Sequence, residues 1–490
     1  MTAQQQPATA GVHAGYRPSG EQRPLTPPVV TSAAFAFANH AEAAESFALK
    51  RTAFTYSRTG NPTVSILEQR LAALEGGTAA VATASGQSAV ALALLALLQG
   101  PRHLVVSARL YGGTVDLLTD TFADFGVRVS FVEPGDLGAW EGAIEADTVG
   151  FLLESVTNPQ AEVIELEPIA GLAHAHGIPV VVDNTLATPY AYRPLEHGAD
   201  VVVHSVTKGL GGHGSALGGA VVVGSFDFSD SVRWPQIAAP RERYRGDSLL
   251  QRYGAGAFAM LVRSKFLHDL GPALGPEAAA QLLRGVETLA VRAGHVARSV
   301  EELAEALEAH PAVACVHHVS RPSHPQHELA ARDFARGTGC IFGLELVDEA
   351  LVEPFADSLE LVTLAANIGD ARTLLAHPAT MTHCRLSAEQ LRAAGISRAL
   401  LRLSVGLEDP RDLSADLTQA LDAAWAGWEG AAPEGATPVG AAPASPTVPG
   451  LAARPGEPNP RAATAASGIS PRPTPADIYA LAATAAARKA

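Results

Sequence analysis

From Pro62 onward, Ile66, Leu67, Leu71 and Leu74 recur at helical spacing, and Gly76-Gly77 closes the run. A fully apolar stretch at Ala79–Thr83 has strand length, and Gly86–Leu98 is an apolar helix. The alternation continues with a strand at 104–107, a helix at about 113–125, and apolar, β-rich runs at 127–132, 149–153, 179–182, 201–203 and 220–223, separated by helical segments. Short, wholly apolar strands alternating with helices predict a mainly parallel sheet with helices on both faces, an α/β fold. A long helical stretch at 250–307, broken at 271–276, leads into strands at 340–346 and 400–405 and helices at 351–359 and 413–425. These form a smaller C-terminal domain of α+β type. Residues 1–60 have few helical periods, and Pro24, Pro27 and Pro28 give them extended character, so they form an arm. The expected division is thus an arm (1–60), an α/β domain (61–265), a C-terminal domain (266–428) and a tail (429–490).

Composition changes this picture only at the end of the chain. Residues 430–475 are rich in Ala, Pro, Gly, Ser and Thr, too poor in large apolar side chains to offset chain entropy, so disorder is expected. Residues 475–489 form a short Ala-rich helical pattern. The formal net charge of −15 argues against a phosphate-backbone partner such as nucleic acid. Cys315, Cys340 and Cys384 are sparse, odd in number and form no C-x-x-C pair, which argues against a disulfide framework. No basic start followed by an apolar stretch opens the chain, and the longest apolar run, 89–98, is too short to span a bilayer. The expected location is the cytosol, away from membranes.

Two residues carry the first chemical signal. Asp183 ends the strand Val180-Val181-Val182, and Lys208 follows the strand 201–203; ligands bind α/β sheets at the carboxyl ends of strands. A lysine amine and a carboxylate on one rim suit pyridoxal-5′-phosphate (PLP), which needs an imine partner and an anion facing its ring nitrogen. On spacing alone, an exposed turn lysine and a helix-capping aspartate explain the pair more simply. Ser205 and Thr207 flank the lysine with hydroxyls that can bind phosphate. Ser85-Gly86-Gln87 stands between a strand and a helix start, where backbone N–H groups can cradle phosphate or the serine can simply cap. Tyr56 and Arg58 add a phenol and a guanidinium on the arm.

The ordered set YSRTGNPT (56–63), SGQSA (85–89), Thr157-Asn158-Pro159, Val182-Asp183-Asn184-Thr185, SVTKGLGGHG (205–214) and LRLSVGLED (401–409) resembles the Cys/Met-metabolism family of PLP enzymes, over about residues 10–427. The resemblance implies a fold-type I PLP-dependent transferase. It implies that Lys208 carries the cofactor as a Schiff base and shuttles protons. Asp183 then faces the pyridine nitrogen and Tyr111 stacks on the ring. Gly86, Gln87, Ser205 and Thr207 hold the phosphate, and Asn158 lies near the 3′-oxygen. Tyr56 and Arg58 reach the phosphate of a neighbouring subunit, so a homo-oligomer, a dimer of dimers, is expected. Arg402 binds the substrate α-carboxylate.

Within the family, Ala365-Ala366-Asn367-Ile368-Gly369-Asp370-Ala371 followed by residues 377–383 is similar to O-acetylhomoserine sulfhydrylases, which have Asn at the position of Asn367. The segment 241–258, with Tyr244-Arg245-Gly246, resembles an insertion of the same subgroup, although Arg245 replaces its usual His and Val30 a frequent Tyr. The resemblance implies γ-replacement on O-acetylhomoserine: acetate leaves from Cγ, sulfide adds, and homocysteine results, a step of methionine biosynthesis. The alternatives are cystathionine γ-synthase, γ-lyase (including methionine γ-lyase) and, outside catalysis, a silent scaffold. His317, His318, His324 and His327 lack an H-E-x-x-H pattern and are read as a polar loop, with no metal expected. Cys384 has no assigned base and is read as a bystander. The 211–219 glycine run has no P-loop pattern.

Overall fold

The computed structural model describes residues 5–428, apart from 49, 52, 101, 385, 386 and 394. The expectations for the 429–490 tail lie outside the described residues. Seven strands make the larger sheet: β1 (Ala79–Thr83), β2 (His103–Ser107), β3 (Arg128–Val132), β4 (Thr148–Glu154), β5 (Val180–Asp183), β6 (Val201–Ser205) and β7 (Gly219–Val223). Their order is β1-β7-β6-β5-β4-β2-β3. The strands from β6 to β3 pair in parallel, and β7 runs antiparallel to both its neighbours.

The valine runs explain why this sheet is central. Successive side chains on a strand point to opposite faces. Val180, Val182, Val202 and Val222 enter one core with Leu67, Leu71 and Leu74 of the helix Pro62–Glu75. Val181, Val201, Val203 and Val221 enter a second core with the helix Gly86–Leu98. Each valine so buried contributes roughly 1.5–3 kcal/mol. Asn61 caps the helix Pro62–Glu75 by accepting from Thr63 N–H, and Gly76 ends it at φ 76°.

Five short strands build the second sheet: β8 (Val313–His317), β9 (Ile341–Leu346), β10 (Thr363–Leu364), β11 (Leu374–Ala376) and β12 (Leu400–Ser404), ordered β10-β11-β12-β9-β8. The polar loop expected around the histidines is in part a strand: His317 is the last residue of β8, and His327 opens the helix His327–Asp333. β8 is an edge strand with only one wholly buried side chain, although residues 312–316 form a short apolar run. The helix expected at 113–125 is also divided, with a π-helical turn at Leu117–Thr121 between two α segments. A second π turn lies at Val262–Leu267. The long helical stretch breaks at Thr288 as well as at 271–276. Within the expected arm, Pro7–His13 is a helix packed on the main body: Ala10 is buried, and Arg70 Nε donates to the Ala14 carbonyl at 3.0 Å.

Candidate active site

The carboxyl ends of β4, β5 and β6 converge on one rim. Asp183 closes β5, and its Oδ1 accepts from the Thr185 N–H at 2.9 Å and the Thr185 hydroxyl at 2.5 Å. Thr185 Oγ1 in turn accepts from the Ser205 N–H at 2.8 Å, so one threonine fixes the aspartate to the end of β6. Glu154 closes β4 in register with Asp183. Its Oε1 accepts from the Tyr111 N–H at 2.6 Å. Burial pushes the Glu154 carboxyl well above its usual range, and the nearby Asp183 charge adds to this. Burial also pushes Asp183 up, against the bonds from Thr185 and the charge of His204. Two carboxyls withdrawn from water side by side favour a proton or a cationic partner between them.

Lys208 lies just past β6, and its Nζ donates to Asn367 Oδ1 at 2.7 Å. Asn367 belongs to the segment between β10 and β11 of the second sheet, so the lysine sits where the two sheets meet. Burial lowers the Lys208 pKa, and the Arg402 charge lowers it further. Arg402, on β12, is only 2% exposed. Its Nη1 donates to Asn158 Oδ1 at 3.3 Å and its Nη2 to the Asn367 carbonyl at 3.1 Å. Its Nε is buried with no partner, and burial lowers its pKa to about 10. Lys208, Asn367, Arg402 and Asn158 thus form one hydrogen-bonded chain.

The helix Gly86–Leu98 starts against the same rim. Ser85 caps it by accepting from the Ser88 N–H at 3.1 Å. A Cβ on Gly86 would lie 2.5 Å from Cβ of Ser205, so only glycine lets this turn approach β6. The first N–H groups of a helix have no partner within it. Gln87 Nε2 donates to the Gly113 carbonyl at 2.8 Å and pins the turn that carries Tyr111. The Tyr111 ring is 47% exposed. Thr207 Oγ1 accepts from the Gly218 N–H at 2.9 Å and donates to the Gly218 carbonyl at 3.2 Å.

Tyr56 and Arg58 are not brought to this rim by contacts within the chain. Both are exposed, and the Arg58 guanidinium lies 5.4 Å from the Tyr56 ring centroid. Tyr244 is buried in the second core, with its hydroxyl 3.1 Å from Ser264 Oγ. Among the described residues no group of His, Cys, Asp and Glu is placed to hold a metal ion.

Three rim residues escaped the sequence reading. Glu154 had a signal, since it closes an apolar strand just as Asp183 does. His383 lies beside Gly112 and feels the Arg402 charge; burial lowers its pKa first, and Arg402 adds to this. Cys340 accepts from the Ser404 hydroxyl at 3.6 Å and is close enough to Lys208 to affect its charge. Nothing in the local sequence marks Cys340, because its nearness to Lys208 arises only in the folded chain.

The family described as Cys/Met metabolism PLP-dependent enzyme matches residues 8–422. The chain belongs to that family. The enzyme is 40% identical over 421 residues to Sulfhydrylase FUB7 of Gibberella moniliformis, covering 85% of this chain and 97% of the relative. It is 38% identical over 428 residues to the O-acetyl-L-homoserine sulfhydrylase of Leptospira meyeri, covering 85% and 96%. A crystal structure of a protein assigned as an O-acetylhomoserine (thiol)-lyase from Campylobacter jejuni superposes with a TM-score of 0.83 at 36% identity, covering 85% of the enzyme and all of that chain. In that structure a lysine stands as N′-pyridoxyl-lysine-5′-monophosphate. The fold is fold-type I, with a mainly parallel sheet and a smaller second sheet.

The rim fits PLP on its own chemistry. It offers a lysine amine in a low-dielectric setting, a buried carboxyl raised for want of a cation, a helix start crowded onto Ser205, and a half-exposed aromatic face.

Proposed function

We propose that the enzyme joins sulfide to O-acetyl-L-homoserine, giving L-homocysteine and acetate. The observation that carries this is Lys208 Nζ at 2.7 Å from Asn367 Oδ1, beside an Arg402 whose buried Nε has no partner. The sulfhydrylase relatives support the choice of substrate. The division of labour follows the chain's regions: an arm (1–60), a cofactor domain (61–265) and a C-terminal domain (266–428).

PLP, when bound, supplies an electron-withdrawing ring that acidifies the substrate's Cα–H. Lys208 holds it and faces the reacting carbons. Burial and Arg402 both shift it towards its neutral form, so the amine accepts the Cα proton, passes it on, and then accepts the Cβ proton. Asn367 holds Nζ in place between these transfers. Arg402 takes the substrate α-carboxylate on its open Nε, which also relieves the desolvated cation. Asp183 meets the ring nitrogen, and the proton there resolves the two raised carboxyls. Tyr111 offers a face for stacking. Gly86, Gln87, Ser205 and Thr207 hold the phosphate, and Asn158 sits by the 3′-oxygen. Tyr56 and Arg58 serve a neighbouring copy's phosphate, which makes the working form a homo-oligomer. Acetate leaves from Cγ, and sulfide adds there.

Among the described residues no helix is long and apolar enough to cross a membrane, and we place the enzyme in the cytosol. The test is a product assay on the PLP-loaded protein, with O-acetylhomoserine offered with sulfide, with cysteine or with no acceptor. Homocysteine formed only with sulfide supports the reading. Cystathionine formed with cysteine replaces it with the γ-synthase, and ketobutyrate with ammonia and no acceptor replaces it with a γ-lyase.

A further inference from the structure

Behind the rim, on the other face of the larger sheet, lies a polar cluster that the mechanism does not use. It is centred on Glu75, the last residue of the helix Pro62–Glu75. Glu75 Oε1 accepts from His204 Nε2 at 2.6 Å and from Asn184 Nδ2 at 2.9 Å. Ser155 Oγ donates to Asn184 Oδ1 at 2.7 Å. None of these four residues is more than 2% exposed. Residues two apart on a strand share a face. Val182 and Val202 enter the same core as Leu71 and Leu74, and Asn184 and His204 follow them by two positions. Each member on the sheet is thus the chain neighbour of a rim residue: Ser155 of Glu154, Asn184 of Asp183, His204 of Ser205. Thr185 ties the ends of β5 and β6 together in front, and Glu75 ties them from behind.

Packing alone does not account for this cluster. A carboxylate and an imidazole are withdrawn from water, and Glu75 Oε2 and His204 Nδ1 are left buried without partners. Well-packed apolar side chains in the same space would be no less stable. What the cluster supplies is charge at a chosen place. The His204 charge favours the ionised form of Asp183, against burial. The other ionisable group beside Asp183 is Glu154 of β4, a carboxyl that the Asp183 charge pushes up. His204 is therefore the cationic side of Asp183 and Glu154 the anionic side. A buried cation needs an anion against it, and at His204 that anion is Glu75.

We propose that Glu75 is a positioning residue for the cofactor, acting through Asn184 and His204 on the carboxylate of Asp183. This role rests on the reading that Asp183 faces the ring nitrogen. Glu75 is itself sealed behind the sheet. It fixes the strand ends that carry Asp183 and Ser205 and supports a positive charge behind Asp183. Asp183 then stays an anion, and the proton stays on the ring nitrogen.

The test loads the enzyme with PLP isotopically labelled at the ring nitrogen and follows that resonance by solid-state NMR across a pH series. Asp183→Asn sets the scale by moving the resonance to its unprotonated position. Glu75→Gln keeps the shape of the side chain and removes its charge. It lowers the pH at which the ring nitrogen loses its proton by about one unit, about tenfold in the ratio of protonated to free nitrogen. His204→Gln, a second variant should Glu75→Gln fail to fold, shifts the resonance in the same direction. Asp416→Asn weakens a buried carboxylate bonded to the 360–362 backbone, so it lowers thermal stability and leaves the resonance in place. An unmoved resonance in Glu75→Gln and His204→Gln, with Asp183→Asn shifted, overturns the proposal and leaves the reading of Asp183 standing. An unmoved resonance in Asp183→Asn overturns that reading, and the proposal with it.

Discussion

Arg402 and His318 are almost equally buried, at 2% and 3% exposure, yet their polar atoms are treated differently. His318 has both ring nitrogens engaged, Nδ1 with Ser320 Oγ at 2.8 Å and Nε2 with Thr338 Oγ1 at 3.1 Å. His327 likewise reaches the Val319 carbonyl at 2.8 Å. Arg402 keeps its charge, loses its water and leaves Nε without a partner. A neutral, fully bonded group is stable inside a protein, whereas a buried cation with a donor left over is costly. The histidine segment is complete as it stands. The rim is complete only with an anion and a cofactor present. An open atom alone does not mark a site, since Gln236 Oε1 and Arg193 Nη2 are also without partners. The rim differs by gathering, in one place, groups of both signs whose charged forms burial disfavours: Lys208, Arg402, Asp183 and Glu154.

The largest test of this contrast is Lys208→Ala. Turnover should fall by ~10³-fold or more while thermal unfolding of the cofactor-free protein stays put or moves up, measured by product assay and calorimetry. Retained turnover would break the contrast at its centre. Arg402→Ala should lower kcat/KM by about 10–100-fold, chiefly through KM, and Arg402→Lys should not restore it, because an ammonium cannot reproduce the guanidinium fork. Steady-state kinetics decide this. Gly86→Ala forces a methyl into Ser205 and should weaken PLP binding by about tenfold, with strain of about 1–3 kcal/mol, read by absorbance titration and by denaturant unfolding. Asn367→Ala removes the hydrogen bond to Lys208 and should cost about fivefold in kcat.

The smallest effect sharpens the other side. His318 has its pKa lowered from 6.5 to about 4, by burial first and then by the charges of His324 and Arg321. Below pH 6.5 the unfolded chain binds a proton that the folded chain refuses, so stability falls as the pH drops towards about 4. In His318→Asn that part of the acid slope should disappear, with kcat unchanged at neutral pH. Chemical denaturation between pH 7 and about pH 4 measures it.

Much of the central sheet was legible because its strands are uninterrupted apolar runs buried on both faces. The small strands β10 and β11 were not, since two or three residues carry no periodicity. β8 was missed although residues 312–316 are all apolar, because so short a run does not separate a strand from the end of a buried helix. The π turns use the same residues as ordinary helix and leave no trace in the pattern. At the site, Lys208 and Asp183 stood out by their place at strand ends, and the ordered motifs turned that hint into a family. Glu154 obeys the same strand-end rule and could have been named with them. The bond from Lys208 to Asn367 could not, because it joins residues 159 positions apart across two sheets.

That junction is also a tight seam: a methyl on Gly369 would strike Gly209 N at 2.5 Å, one residue from the lysine. Backbone meets backbone there, with no side chain to act as a cushion. The two halves of the enzyme therefore cannot drift apart in evolution as independent modules. Any insertion or helix shift that tilts the second sheet is transmitted undamped to the reacting amine, so turnover serves as a gauge of how the halves are seated. During partial unfolding it should be the first signal lost, while the helices and strands on either side of the seam are still intact.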